Sequence, residues 1–312
     1  MSSDVIHRFS FANAPIRGQW VRLSDTLTEA FRRQPNSEPG RRLLGEMLAA
    51  VTLMADGIKF HGAVALQSRG NGPVSTALAE CRHRNLLRGI VRWNSAAEPP
   101  EGAELPTDAG PLGNEPALSS LLGEGQMAIT LIPDAERSPD AASYQGVVAL
   151  TGDSLARNLE EYFTNSEQLP TRLFMAFEAD QVTGLLLQRL PVSDEAAELT
   201  LDVRDDLWRE VELLAETVTR QELAQLPIDQ LLRRLFHQHT VTVHPGRTLE
   251  FSCTCSRERA ERMLQVLPKD EILELLESQG MVDVTCEVCG ARYEYDQVDT
   301  HLIYEPEGRR LH

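Results

Sequence analysis

The chain has 312 residues, 42% hydrophobic and 25% charged, with a formal net charge of −17. That length supports a real hydrophobic core and favours two domains over one, while the acidic balance excludes a surface built to hold nucleic acid or anionic lipid. No apolar run of about 18 residues occurs, so no membrane span is expected. Asp4, Arg8 and Arg17 interrupt any secretory leader, and five cysteines without an export signal point to the reducing cytoplasm.

The first 190 or so residues read as mixed α/β. Gln19–Leu23 is a short strand, and Thr26–Arg33 a helix stopped near Pro35 and Pro39. Leu44, Met47, Leu48 and Val51 repeat at helical spacing within a helix over Arg41–Ala55. Strand-like runs follow at Lys59–Leu66, Pro73–Cys81 and Leu86–Trp93, with a turn at 68–73 between the first two. Residues 94–116 read as a long surface loop. Gln126–Ile132 and Tyr144–Leu150 are further strands, Asp153–Ser166 a helix, and Thr171–Phe177 and Thr183–Leu190 two more strands. Strands outnumber helices without alternating strictly, which gives an α+β class.

From Ser193 the character changes. Residues 194–222 hold ten acidic side chains against Arg204, Arg209 and Arg220. Leu207, Val211, Leu214 and Val218 nevertheless form one apolar helical stripe. Thr219 and Glu222 fit a capping box for a next helix, and Pro227 opens another that carries Leu231, Leu232, Leu235 and Phe236. The segment is a solvated connector with a buried stripe, or a marginally stable region that something else must hold folded. The expected organisation is a strand-rich domain over 1–192, a helical linker over 193–244 and a small metal-binding domain over 245–312.

Thr240–Val243 reads as extended just before that last part, in which Leu249–Cys255 reads as extended, Ser256 caps a helix to Leu267, and Pro268 starts another that ends near Gly280. Val282–Thr285 and Tyr293–Tyr295 flank a turn at Cys286–Gly290. Four of the five cysteines lie here, as Cys253-x-Cys255 and Cys286-x-x-Cys289, thirty residues apart. A CxxC turn points both sulfurs inward, and Gly290 after it lets the backbone fold tightly. An extended CxC puts both side chains on one face, since strand periodicity is two. Each pair is a chelate, and together they supply four thiolates for one tetrahedral zinc ion. A domain of about 60 residues rarely stabilises itself by burial alone, and zinc on four thiolates contributes on the order of 10–16 kcal/mol, so losing the metal should unfold it.

The same thiolates are oxidisable. A disulfide within CxxC closes easily, whereas one within CxC needs the segment to bend. Spacing alone leaves a permanent zinc anchor and a redox switch both open. Nucleic-acid binding, another use of zinc ribbons, conflicts with 13 acidic and 7 basic side chains over 251–312. Other candidates are weaker. Cys81 reads as a buried thiol. Arg69–Pro73 lacks the residues of a phosphate loop. His237 and His239 read as solvent-facing, His244 and His301 as substitute metal ligands, and Glu160-Glu161 as one of many acidic pairs. No nucleophile or acid–base motif nominates an active site, so the chain reads as a binding or sensing protein and not as an enzyme.

Cys253-Thr-Cys-Ser-Arg-Glu-Arg259 followed by Cys286-Glu-Val-Cys-Gly290 resembles the zinc centre of the redox-regulated 33-kDa heat-shock protein family of chaperones. Tyr144-Gln-Gly-Val-Val148, Leu159–Thr171, Arg17-Gly18 and Gly70–Pro73 are similar to that family's N-terminal part. The resemblance implies an ATP-independent holdase that is inactive while reduced and zinc-bound. Oxidation would form Cys253–Cys255 and Cys286–Cys289 disulfides, release zinc, unfold the linker and expose apolar surface. The chain would then form a homodimer and hold unfolding client proteins, with no nucleic-acid or membrane partner. The bland alternative is a constitutive zinc-ribbon adaptor for a fixed protein partner.

Overall fold

The computed structural model describes residues 4–304 apart from 13, 35, 59, 95–106, 111, 135–136, 138–140, 153 and 192–199. The chain divides into two compact units, Met1–Ser252 and Cys253–His312. In chain order the first contains β1 (Val5–Phe11), β2 (Ile16–Leu23), α1 (Asp25–Arg33), α2 (Glu38–Gly57), β3 (Gly62–Gly70), β4 (Val74–Arg82) and β5 (Leu86–Trp93). A short hairpin of β6 (Thr107–Gly110) and β7 (Gly113–Pro116) follows, then α3 (Leu118–Leu122), β8 (Gly125–Pro133), β9 (Tyr144–Ala149), α4 (Leu155–Asn165), β10 (Thr171–Glu178) and β11 (Gln181–Arg189). The unit closes with α5 (Leu201–Ala215), α6 (Arg220–Gln225), α7 (Ile228–Leu235), β12 (Val241–Val243), β13 (Arg247–Thr248) and β14 (Glu250–Phe251). The second unit holds α8 (Arg257–Leu264), α9 (Lys269–Gln279), β15 (Val282–Thr285), β16 (Arg292–Tyr295) and α10 (Gln297–Tyr304). The α+β class expected from the sequence is the one observed.

Two sheets build the first unit. One runs β10-β11-β2-β1-β12 with β13 also on β1, and the other runs β14-β5-β4-β3-β8-β9. All pairs are antiparallel except β14 with β5. The helix α2 lies in the core against strands of both sheets. Pro39, expected to stop a helix, instead sits in the first turn of α2, where its missing N–H costs no hydrogen bond. The start of α1 is capped from outside its own helix: buried Asp4 accepts from the backbone N–H groups of Ser24, Asp25 and Thr26 at 2.7–2.9 Å. A carboxylate there meets both the unpaired amides and the positive end of the helix dipole.

The first sheet is apolar on both faces, and its strands show why. Alternate residues of a strand point to opposite sides. On β10, Leu173, Met175 and Phe177 enter the core around α2, while Phe174 and Ala176 join a second core. On β11, Val182 and Leu186 take the first side and Leu185 and Leu187 the second. The same alternation places Val21 and Leu23 against Ile16 and Trp20 on β2. Phe9 joins the second core, and its ring lies directly over Gly18, its cross-strand partner; a Cβ there would fall 2.0 Å from the ring.

The second core is completed by the acid-rich segment. Trp208, Val211 and Ala215 of α5, Val218, Leu223 and Ala224, and Ile228, Leu231, Leu232 and Leu235 of α7, with Phe236, are all buried in it. The stripe expected on this segment exists, though Trp208 replaces Leu207 as its first fully packed member. The Thr219–Glu222 capping box is present as expected. Much of the acidic excess is met by arginines of the sheet. Arg172 pairs with Glu212 at 2.5 Å and Glu216 at 3.4 Å, Arg189 pairs with Asp205 at 2.6 Å, and Arg22 donates to the carbonyls of Ala224 and Leu226.

Two expectations need correction. The stretch 94–116 is not all loop, since β6 and β7 form a hairpin within it; residues 95–106 and 111 lie outside the described residues. The compact units meet at Ser252 and Cys253 rather than at 244/245, because β12 and β13 pair with β1 and β14 pairs with β5. Residues 192–199 at the start of the expected linker lie outside the described residues.

Two outcomes follow from this packing. Asp4→Ala removes the carboxylate acceptor of three amides at a part-buried helix start and should lower the unfolding free energy by about 1–3 kcal/mol in urea titration. Val211→Asp with Leu231→Asp should free α5–α7 from the sheet without dissolving the core around α2. Limited proteolysis should then cut within 201–236 while hydrogen exchange in α2 stays slow; equal loss of protection in both would refute separate cores.

Candidate metal centre

Cys253 and Cys255 open the second unit on an extended segment that ends at Ser256. The Ser256 hydroxyl accepts from the Arg259 N–H at 3.3 Å and so fixes where α8 begins. Arg259 in turn reaches back to the carbonyl and hydroxyl of Thr254, the residue between the two cysteines. The other pair sits on the turn between β15 and β16. There the Cys286 N–H donates to Ala291 O at 2.8 Å and the Gly290 N–H donates to Cys286 O at 2.7 Å. Gly290 has φ of +68°, a conformation that side chains resist.

These two devices bring all four sulfurs within 4.8 Å of one another. Cys253 Sγ lies 3.7 Å from Cys286 Sγ, and Cys255 Sγ lies 3.2 Å from Cys289 Sγ. Metal–sulfur bonds of about 2.3 Å in a tetrahedron set the sulfurs about 3.8 Å apart. The donor set and its spacing therefore suit an ion that takes four thiolates, and this group could hold a metal. Cys289 is buried and the other three are half-buried.

The protonation of the cluster fits the same reading. Burial pushes the Cys255 thiol up, but hydrogen bonds from Tyr293 and the neighbouring thiols outweigh it and bring it down to about 7. Tyr293 Oη lies 3.1 Å from that sulfur. Burial raises Cys253, and burial together with contacts from the other thiols raises Cys289. Four sulfurs this close cannot all carry charge without a cation among them.

The surrounding unit is small. Ala260, Leu264, Ile272, Leu276, Val282, Tyr295 and Ile303 form its buried core among the described residues. Arg257 ties three elements together: its guanidinium lies 4.4 Å over the Tyr295 ring and donates to Glu294 O and to Asp299. Arg259 stands in the motif that carries the family resemblance, whereas Tyr293, which also positions the site, was read only as a strand residue, because a strand tyrosine is ordinary until the pairs converge.

The remaining sequence candidates fall elsewhere. His244 lies in the first unit, where its Nε2 meets Ser10 Oγ at 3.2 Å, and neither it nor His301 belongs to the cysteine cluster. His239 is not solvent-facing; it packs edge-on against Phe11 with Glu210 at 3.4 Å. His237 is exposed. Cys81 is buried on β4, and burial pushes its thiol up to about 12. Glu160 is buried, accepts the Leu173 N–H and pairs with Arg157 and Arg172, which makes it a structural anchor for α4. No helix among the described residues is long and apolar enough to cross a membrane.

Comparison with known proteins agrees with this organisation. The family model described as Hsp33 protein matches residues 4–296. The chain is 36% identical over 305 residues to the 33 kDa chaperonin of Shewanella loihica, covering 98% of this chain and 97% of that one. It is 37% identical over 300 residues to the 33 kDa chaperonin of Cronobacter sakazakii, covering 95% and 93%. The crystal structure of the 33 kDa chaperonin from Thermotoga maritima has the same fold, with a TM-score of 0.77 at 20% identity over 98% of this chain and 99% of that one. This chain belongs to the Hsp33 family, a family of chaperones and not of enzymes.

Proposed function

We propose that the protein is a redox-regulated, ATP-independent holdase of the cytoplasm, and that Cys253, Cys255, Cys286 and Cys289 are both its zinc ligands and its switch. The observation that carries this reading is the convergence of four thiols within 4.8 Å in a unit whose own buried core is so small. When bound, zinc would cross-link the two cysteine pairs and hold the sulfurs as thiolates. The residues do the rest. Each pair gives two electrons to an oxidant such as a peroxide, which is reduced to water, and closes as Cys253–Cys255 or Cys286–Cys289. Closing either disulfide removes two of the four ligands, so the site gives up its metal and the unit loses its main stabilisation.

The first unit supplies surface for such a switch to act on. Phe9, Trp20, Phe174, Leu185 and Leu187 form an apolar sheet face covered by α5–α7. Those helices reach the cysteine unit through β12–β14 and no other chain segment. Uncovering that face offers unfolding clients a broad apolar platform and gives oxidised chains a surface on which to pair.

The reduced protein should carry one zinc per chain, and peroxide at mildly denaturing temperature should free that zinc as two disulfides form. The treated protein should suppress light scattering of a chemically denatured client without ATP. Zinc release without suppression would sink the chaperone reading and leave the adaptor. In Cys286→Ser the oxidant should no longer change holdase activity, while the near-ultraviolet circular dichroism of the first unit is retained. Oxidant dependence that survives in this variant would overturn the assigned roles.

A further inference from the structure

The first unit contains a concentration of positive charge that the holdase reading does not use. In a chain of net charge −17, three arginines gather beside one carboxylate, and two of them bond to it. Asp56, at the end of α2, is buried. Its Oδ2 accepts from Arg8 Nε at 2.6 Å and Gln19 Nε2 at 2.9 Å, and its Oδ1 accepts from Arg8 Nη2 at 3.0 Å and from Arg247. Burial alone would raise this carboxyl, but those hydrogen bonds outweigh it and hold it below the usual carboxylate range. Its charge is thus fixed and its acceptor capacity taken up.

Arg17 is the third cation. It donates to Gln188 Oε1 and to Gly57 O, and among the described residues no carboxylate lies within ion-pairing distance of it. Burial lowers its pKa and the nearby positive charge of Arg8 lowers it further, while the charge of Asp56 partly opposes both. A clamp built only to tie β1 to α2 would need one arginine. Arg17 meets the Gly57 carbonyl at the end of α2, yet its charge lies beside that of Arg8 and both share Asp56, a repulsion that an anion would offset.

There is room for that anion. Two adjoining cavities of about 170 and 340 Å³ share Arg8, Asp56 and His244 as walls; Arg17 lines the first and Arg247 the second. The side chains of Arg8 and Arg247 are 49% and 37% exposed, so both are reachable from solvent. Each keeps an Nη1 with no protein acceptor among the described residues, and His244 adds a ring at the shared wall. The arginines line two adjoining cavities joined at Arg8, Asp56 and His244 and not an extended stripe, which suits a compact anion and not a polymer.

We propose that Arg8, Arg17 and Arg247, with His244, form a binding site for a compact phosphate-type oxyanion. Three guanidinium groups against one saturated carboxylate leave a net charge of about +2, matched to a divalent oxyanion with several acceptor atoms. The bound anion would fasten β1, β2 and β13 at one point.

Isothermal titration of the full, reduced chain with inorganic phosphate, against chloride at matched ionic strength, tests this. One saturable site with a Kd of about 1 mM or tighter is expected. Arg8→Gln and Arg247→Gln should each weaken binding about tenfold, the usual scale for one charge-assisted hydrogen bond. Asp56→Asn should strengthen it, because the opposing charge is gone; a merely destabilised fold would move all three variants the same way. Phosphoserine as a second titrant separates a phosphorylated side chain from free phosphate as the natural source. No saturable heat with wild-type protein, unchanged affinity in both arginine variants, or weaker binding in Asp56→Asn would each overturn the proposal. Arg8→Lys, which keeps the charge and the fold, should retain measurable binding, and its complete loss there would count against a site built on charge.

Discussion

The architecture of the first unit depends on one constraint: a four-stranded run, β10-β11-β2-β1, that is apolar on both faces. A sheet with one wet face needs a single cover, whereas this one needs two. The helix α2 supplies the first from within the core. The second comes from α5–α7, which arrive later in the chain and bury Trp208, Val211, Leu231, Leu232 and Phe236 against Phe9, Trp20 and Phe174. The two covers differ in kind. Of the 20 residues in α2, only Glu38, Arg41, Arg42, Glu46 and Gly57 are not buried. The three later helices are amphipathic, and α5 carries five acids, so their hold on the sheet rests on one stripe of side chains and a few arginines.

Those arginines explain how so acidic a segment can pack at all. Arg204, Arg209 and Arg220 cannot balance ten acids within the segment itself. Arg172 and Arg189 do part of the work from the sheet, and Arg22 adds hydrogen bonds to the Ala224 and Leu226 carbonyls. Exposed pairs of this kind contribute about 0–1 kcal/mol each. They orient the helices more than they secure them, and the apolar stripe remains the main attachment. Arg172 also reaches buried Glu160 of α4, so one side chain joins the strand, the core helix and the cover.

The second unit follows a different economy. Its core is a handful of side chains, and much of its order comes from polar ties such as Arg257 over Tyr295 and the Tyr304 hydroxyl on Leu267 O. The cysteine cluster that could hold a metal lies at the start of this unit and on its β15–β16 turn.

Local features were legible from the order of residues alone. Helical spacing marked α2 and the stripe on α5, Thr219 and Glu222 marked a helix start, Ser256 marked another, and the two cysteine pairs marked a chelating site with its resemblance to a chaperone family. Each of these is set by residues a few positions apart, where periodicity and capping act directly. β1, α3 and α10 were not legible, because short elements with mixed patterns owe their form to what they pack on. Only the tertiary structure decided what the acidic helices cover, that Asp4 caps α1 across twenty residues of chain, and that β12–β14 return to the first unit before the cysteines begin. It also placed Tyr293 on Cys255 and gathered Arg8, Arg17 and Arg247 around Asp56. Such contacts join residues far apart in the chain, and no local periodicity encodes which distant face a strand or arginine will meet.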